Sequence, residues 1–97
     1  MLAVIPDAEA GFVDTPDCRT ALARANTLVG AVAQRDRGSR PAGTAAICNV
    51  LRLNRRDMRE AADHMQRCMT GHERGENVGQ LMASVEDVDA VLARRCR

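Results

Sequence analysis

The hydrophobic positions of this chain recur at helical spacing in three separate segments. In the first segment they are spaced by four and three residues in turn, at Cys18, Leu22, Ala25, Val29 and Val32. Side chains three and four residues apart lie on one face of an α-helix, so this spacing gives a single apolar stripe. Thr15 is typical of an N-cap and Pro16 of the first helical position. We predict a first helix that begins at Pro16 and ends within the glycine- and proline-containing stretch 35–43.

A second helical pattern begins near Thr44. Its apolar side chains fall on one broad face, at Ile47, Cys48, Val50, Leu51, Met58, Ala61, Ala62, Met65, Cys68 and Met69. Gly71 follows at a position typical of a left-handed helix cap. Asn54 and Asp57 resemble an N-terminal capping pair, so the alternative is two helices that meet at Asn54. A continuous helix of about 27 residues would be about 40 Å long, longer than the first helix, and this mismatch favours the division.

Residues 72–77, HERGEN, separate the second pattern from the third and are predicted to form a loop. The third pattern again alternates spacings of three and four residues, at Val78, Leu81, Val85, Val88 and Leu92. No segment shows the alternation of apolar and polar residues that is typical of strands. The predicted fold class is all-α: a small up-down-up helical bundle with three long segments. Residues 1–13 are expected to be a flexible lead-in, and residues 14–97 a single helical domain.

Four cysteines lie near the ends of the predicted helices: Cys18, Cys48, Cys68 and Cys96. Their spacing does not match the C-x-x-C pairs of zinc ribbons and redox sites, and four cysteines allow three disulfide pairings. In an up-down-up bundle Cys18, at the start of the first helix, meets Cys68, at the end of the second. Cys48 and Cys96 then meet at the opposite end. The bundle therefore predicts disulfides Cys18–Cys68 and Cys48–Cys96; the alternative is four buried free thiols.

The composition indicates that such cross-links would contribute strongly to the stability of the fold. The chain has 97 residues and one aromatic side chain, Phe12, so its core must be built from smaller apolar side chains. Disulfides stabilise small cores of this kind and persist in oxidising compartments. We therefore expect a periplasmic or secreted protein whose signal peptide has been removed, with a cytoplasmic protein as the alternative. No apolar run reaches the roughly 18 residues of a membrane span.

The stretch DHMQRCMTGHE, residues 63–73, combines imidazole and sulfur side chains. His64, Met65, Met69 and His72 are candidate ligands, since sulfur donors with imidazole suit copper(I), and histidine with methionine can ligate haem. Met65 and Met69 also lie on the apolar stripe of the second segment, where the core requires filling. We therefore interpret the stretch as the end of a core helix and expect no cofactor. A copper or haem carrier is the alternative.

The basic side chains are all arginine, and the net charge of the chain is +1. The densest basic patch contains Arg52, Arg55, Arg56 and Arg59. Acidic residues are interleaved with this patch, and the expected ion pairs are Arg56 with Glu60 and Arg59 with Asp63. Because affinity for a polyanion requires uncompensated cations, we do not expect nucleic acid as a partner. A cytosolic nucleic-acid binder that uses the patch is the alternative.

The sequence contains no Ser-His-Asp arrangement, glycine-rich phosphate loop or zinc-protease motif. We therefore expect a non-enzymatic protein. The leading hypothesis is a small disulfide-stapled helical protein of the cell envelope or exterior that acts by protein–protein binding. Its partner would be another protein. A bundle of only three helices can also leave an apolar groove through which a homo-oligomer forms.

Overall fold

The computed structural model describes residues 11–38 and 43–96, and these residues form three long helices. We number them α1 (Pro16–Gly38), α2 (Gly43–Cys68) and α3 (Gly71–Arg95). The predicted all-α class is confirmed, since strand pairing within the described part of the chain is limited to one isolated bridge. Residues 1–10, which make up most of the predicted lead-in, lie outside the described residues.

Helix α1 begins where the sequence predicts. The backbone N–H of Cys18 donates a hydrogen bond of 3.1 Å to Oγ1 of Thr15, so one of the free N–H groups of the first turn is satisfied. Asp17 places a negative charge in that turn, and Arg35 and Arg37 place positive charges in the last one. Both ends therefore carry charges that the helix dipole favours.

Helix α2 continues without a break through Asn54. The Asn54 side chain does not cap a helix; it donates a hydrogen bond to Asp36 and accepts one from Arg35, both on α1. The predicted length mismatch also disappears, because α1, α2 and α3 contain 23, 26 and 25 residues. Three helices of nearly equal length pack side by side with no need for a kink.

The prediction of a loop at residues 72–77 is wrong, because α3 already begins at Gly71. Only Met69 and Thr70 connect α2 to α3. Residues 11–13 make this short connection possible: the Cys68 carbonyl accepts a hydrogen bond from the Val13 N–H, and the Thr70 N–H donates one to the Gly11 carbonyl. The backbone groups at the junction are thereby satisfied without a longer loop.

Both predicted disulfides are confirmed, and with them the up-down-up order. Cys18–Cys68 joins the start of α1 to the end of α2, with a Cα–Cα distance of 5.3 Å. Cys48–Cys96 joins the start of α2 to the residue after α3, with a Cα–Cα distance of 5.8 Å. One cross-link therefore stands at each end of the bundle, and α2 takes part in both.

Helix α2 is the centre of the bundle, with α1 and α3 packed on it. The core cluster contains Ala25 and Leu28 from α1 with Ala61 and Met65 from α2. Partly buried apolar side chains surround it, at Leu22, Met69, Val78 and Leu81. No Cα atom of α1 lies within 8 Å of a Cα atom of α3. The two outer helices are therefore separated by a groove whose floor is α2. None of the described helices is long and apolar enough to cross a membrane.

Candidate binding groove between helices α1 and α3

The groove between α1 and α3 consists of two adjoining depressions of about 220 and 270 Å³. Both are lined by Asn26, Met65 and Asn77, so they form one continuous channel, which we call the α1–α3 groove. Its apolar lining consists of Phe12, Leu22, Val29, Met65, Met69 and Leu81. Methionine side chains are flexible and polarizable, so the floor of the groove can adapt to the shape of an apolar ligand.

Helical spacing explains why these side chains meet. Leu22, Asn26 and Val29 are separated by four and three residues and form one row along α1. Met65 and Met69, four residues apart on α2, form the floor. Residues three and four apart lie one above the other on a helix, so each wall of the groove is a single helical row. The sequence shows these rows, but not that α1 and α3 stand apart.

The rim of the groove is polar and almost uncharged. Amide and hydroxyl side chains line it, at Asn26, Asn77, Gln80 and Ser84. Glu73 is the one charged residue among those that line the two depressions. Charged residues make up 28% of the whole chain, so the groove is poorer in charge than the rest of the surface. A ligand of this groove must therefore be apolar, with few charges of its own.

Residues 11–13 close one end of the groove. Gly11 and Phe12 line it there, and Phe12 forms an antiparallel bridge with Met69. Gly11 has a φ of +106°, and a Cβ atom at this position would lie 3.0 Å from the Thr70 carbonyl oxygen. Glycine is required here because other residues rarely adopt this φ and because the backbone of Thr70 is so close. These three residues belong to the predicted lead-in 1–13, yet they are hydrogen-bonded to the α2–α3 junction.

The four candidate metal ligands occupy different environments. Met65 is buried in the core, and Met69 packs against the core and lines the groove. The His72 side chain is 84% exposed, with its Nε2 atom 3.5 Å from Glu76. Within residues 11–38 and 43–96, no group of three or more His, Cys, Asp or Glu side chains is placed to hold a metal ion. The two methionines lie on the floor of the groove, whereas His72 lies on the exposed surface.

Both ring nitrogens of His64 are already engaged by protein side chains. Nδ1 lies 2.9 Å from the Arg67 guanidinium, which can only donate, so Nδ1 accepts this hydrogen bond. The Nε2–H group then donates to Glu60, 3.1 Å away. A metal ion would have to displace one of these partners. The Arg24 hydrogen bond, together with that from His64, lowers the pKa of Glu60 below its ordinary value.

Three of the four arginines in the patch have hydrogen-bond or ion-pair acceptors nearby. Arg55 pairs with Asp89 on α3, and Arg56 pairs with its neighbour Asp57. Arg52 donates a hydrogen bond of 3.1 Å to the Cys96 carbonyl. The predicted acidic partners bind other arginines: Glu60 pairs with Arg24, and Asp63 with Arg67. The structure therefore uses several of these arginines to connect elements of the bundle.

One polar network at the α1–α2 interface was not anticipated from the sequence. Asp57 is only 2% exposed, and Arg35 of α1 donates to its carboxylate at 2.7 Å and to Asn54 at 2.9 Å. Burial by itself would raise the pKa of Asp57, but the hydrogen bonds from Arg35 and Arg56 outweigh it and lower the pKa below its ordinary value. The available signal was that Asn54 and Asp57 share the apolar face of α2. This network attaches α1 to α2, and its residues are not among those that line the groove.

Comparisons with protein-family models, with curated proteins and with solved structures found no match for this chain.

Proposed function

We propose that this chain is a non-enzymatic binding protein of the cell envelope or exterior, and that it binds another protein in the α1–α3 groove. The observation that carries this proposal is the groove itself, which is apolar, open to solvent and nearly free of charge. Contiguous apolar surface on a small protein is typical of an interaction site. A groove between two helices suits an apolar face of a partner helix, which inserts side chains at helical spacing.

The disulfides support this role because they hold the walls of the groove in place. Cys18–Cys68 attaches α1 to α2 at one end, and Cys48–Cys96 attaches α3 to α2 at the other. A pre-organised site loses less conformational entropy when its ligand binds, so more of the contact energy contributes to affinity. The cross-links therefore favour a binding surface that is already formed in the unbound protein.

The disulfides also support the proposed location. Two disulfides suit a protein of an oxidising compartment, because thiols are kept reduced in the cytosol. Within that class we propose a periplasmic or secreted protein. Fractionation of the producing cells tests this part of the proposal, with thiol titration of the protein purified without reductant as the accompanying measurement. Four reactive thiols and recovery in the cytosolic fraction would contradict it.

The binding proposal is tested with a matched pair of substitutions. Val29 lines the groove, whereas Leu53 lies on another face of the bundle beside Arg52 and Arg56. Both side chains belong to residues that are 37% exposed, so Val29→Glu and Leu53→Glu introduce the same charge at equal exposure. A photo-reactive side chain at Asn77, on the groove rim, identifies the bound protein by cross-linking, and calorimetry with the purified partner then measures the affinity.

We expect Val29→Glu to weaken binding of that partner at least about tenfold, since a charge in an apolar groove must be desolvated when the partner binds. Leu53→Glu should leave the affinity unchanged. Circular dichroism confirms that both variants remain helical. Equal affinity of the two variants would show that the partner binds elsewhere and would refute the groove as the binding site.

The two alternative functions receive less support. The copper or haem alternative requires His64, whose ring nitrogens are both hydrogen-bonded, and His72, which is exposed near Glu76. Elemental analysis and a visible spectrum of the purified protein test it. The nucleic-acid alternative requires uncompensated arginines, whereas Arg55 and Arg56 are paired with carboxylates. A salt-dependent mobility shift with DNA or RNA would support it.

A further inference from the structure

The first described residues of the chain lie at one end of the α1–α3 groove. Gly11 and Phe12 line one end of the groove, and the Gly11 carbonyl is held there by the Thr70 N–H at 2.9 Å. The segment that precedes Gly11 in the chain is therefore attached at this end of the groove. Residues 1–10, which lie outside the described residues, have the sequence MLAVIPDAEA.

The chemistry of this segment matches that of the groove. Leu2–Ile5 is a run of four aliphatic residues without a charge, and the first charged side chain after it is Asp7. The groove offers an apolar lining and an uncharged rim, with Glu73 near the Gly11 end as the exception. An aliphatic segment buries apolar area there without leaving a charge desolvated.

The residues between Ile5 and Gly11 are long enough for Leu2–Ile5 to reach every part of the groove. The α3 wall of the groove runs from Glu73 to Ser84, eleven residues along a helix, or about 16 Å. The six residue steps from Gly11 back to Ile5 can span up to about 20 Å when extended. Leu2–Ile5 can therefore reach the whole of the groove from the point where the chain is anchored.

Tethering also favours this segment over any ligand in solution. A binding segment attached through a short linker acts at an effective concentration of about a millimolar. An intrinsic dissociation constant somewhat below a millimolar is then enough to occupy most of the groove. A partner in solution must overcome this advantage before it binds.

We propose that Leu2–Ile5 binds in the α1–α3 groove and acts as an internal competitor of the partner protein. The regulatory half of this inference rests on the proposed function, since it assumes that the partner uses the same groove. The occupancy of the groove by the segment does not depend on that assumption and is tested without a partner.

The experiment uses the full chain and Nile red, an uncharged dye whose emission rises on apolar surfaces. Val4→Asp with Ile5→Asp places two charges in the aliphatic run. The matched control, Ala8→Asp with Ala10→Asp, adds the same two charges between that run and Gly11. We expect the first variant to bind the dye at least about threefold more strongly than the full chain, because the segment no longer competes. The control should behave as the full chain does.

Four further outcomes are distinguishable. Adding Val29→Glu to the Val4→Asp, Ile5→Asp variant should abolish the gain in dye binding, which shows that the dye occupies the groove. Equal dye binding by the full chain and the variant, lost in both with Val29→Glu, would overturn the inference and leave the proposed function intact. Dye binding that is insensitive to Val29→Glu in every variant would overturn both. Dye binding that falls as the protein concentration rises would show a second copy as the occupant and would also overturn the inference.

Discussion

Helices α1 and α3 both pack on α2, but they are held there by different means. Helix α1 contributes two buried residues, Ala25 and Leu28, to the core cluster with Ala61. Helix α3 has a single buried residue, Val85. Burial of apolar area is the main favourable term in folding, so α1 is held more firmly by packing than α3 is.

The interhelical ion pairs also differ: the Arg35–Asp57 pair between α1 and α2 is less exposed than the Arg55–Asp89 pair between α2 and α3. At the α1–α2 interface the Asp57 side chain is 3% exposed and the Arg35 side chain 24%. At the α2–α3 interface the Arg55 and Asp89 side chains are 41% and 45% exposed. Exposed ion pairs are screened by solvent and contribute little, whereas a buried charge depends strongly on its partner. We therefore expect α3 to rely on the Cys48–Cys96 cross-link more than α1 relies on Cys18–Cys68.

The largest expected effect comes from removing one disulfide at a time. Cys18–Cys68 and Cys48–Cys96 close loops of nearly equal length, with sequence separations of 50 and 48, so each should stabilise by about 4 kcal/mol in the chain-entropy model. We expect Cys48→Ala with Cys96→Ala to expose the amides of α3 selectively to hydrogen exchange. The Cys18→Ala, Cys68→Ala variant should retain more of its helical signal. Greater loss of protection in α1 than in α3 would reverse the comparison.

The next effect concerns the two interhelical carboxylates. Asp57→Asn removes the buried charge that faces the half-buried Arg35 and leaves Arg35 without a full counter-charge, and we expect the free energy of unfolding to fall by about 3 kcal/mol. Asp89→Asn removes a half-exposed ion pair and should cost less than about 1 kcal/mol. Urea denaturation of the two variants measures both values. Equal losses would mean that the two interfaces are equally dependent on their charges.

Helix α3 can be strengthened at its glycines. Gly79 lies within α3, and a Cβ atom built there meets nothing within 4 Å. We expect Gly79→Ala to stabilise the protein by up to about 1 kcal/mol, since alanine loses less backbone entropy in a helix. Gly11→Ala should instead destabilise it, because Gly11 has a positive φ and lies against the Thr70 carbonyl. Thermal melts compare the two, and an unchanged melting temperature for both would contradict the prediction.

The last prediction concerns the response of the protein to acid. The pKa of Asp57 in the folded protein lies below its value in the unfolded chain, although burial opposes this, because Arg35 and Arg56 donate hydrogen bonds to the carboxylate. Its contribution to stability is therefore complete above the unfolded pKa near 4 and is lost as the pH falls through the folded pKa. Urea melts between roughly pH 5 and pH 2.5 should show this loss, and Asp57→Asn should reduce it. A variant with the same acid slope as the parent chain would refute the assignment to Asp57.

Much of the fold could be read from the chain. The stripes from Cys18 to Val32 and from Val78 to Leu92 predict their helices because local spacing alone places those side chains on one face. The start of α3 was misplaced, since HERGEN contains Gly75 and directly follows Gly71, and glycine is typical of turns. The predicted loop is absent because residues 11–13 pair with the α2–α3 junction. This contact joins segments that are more than fifty residues apart in the sequence.

Helical periodicity is enough to predict the three helices, and the positions of the cysteines at helix ends, together with antiparallel order, are enough to predict the two disulfides. The packing of the helices was needed to show that α1 and α3 stand apart on α2 and that Asp57 meets Arg35. The separation of two helices depends on how whole side-chain layers fit together, and a buried ion pair depends on register between helices. Neither quantity is encoded in the spacing within one segment, so the groove became visible only when the helices were packed.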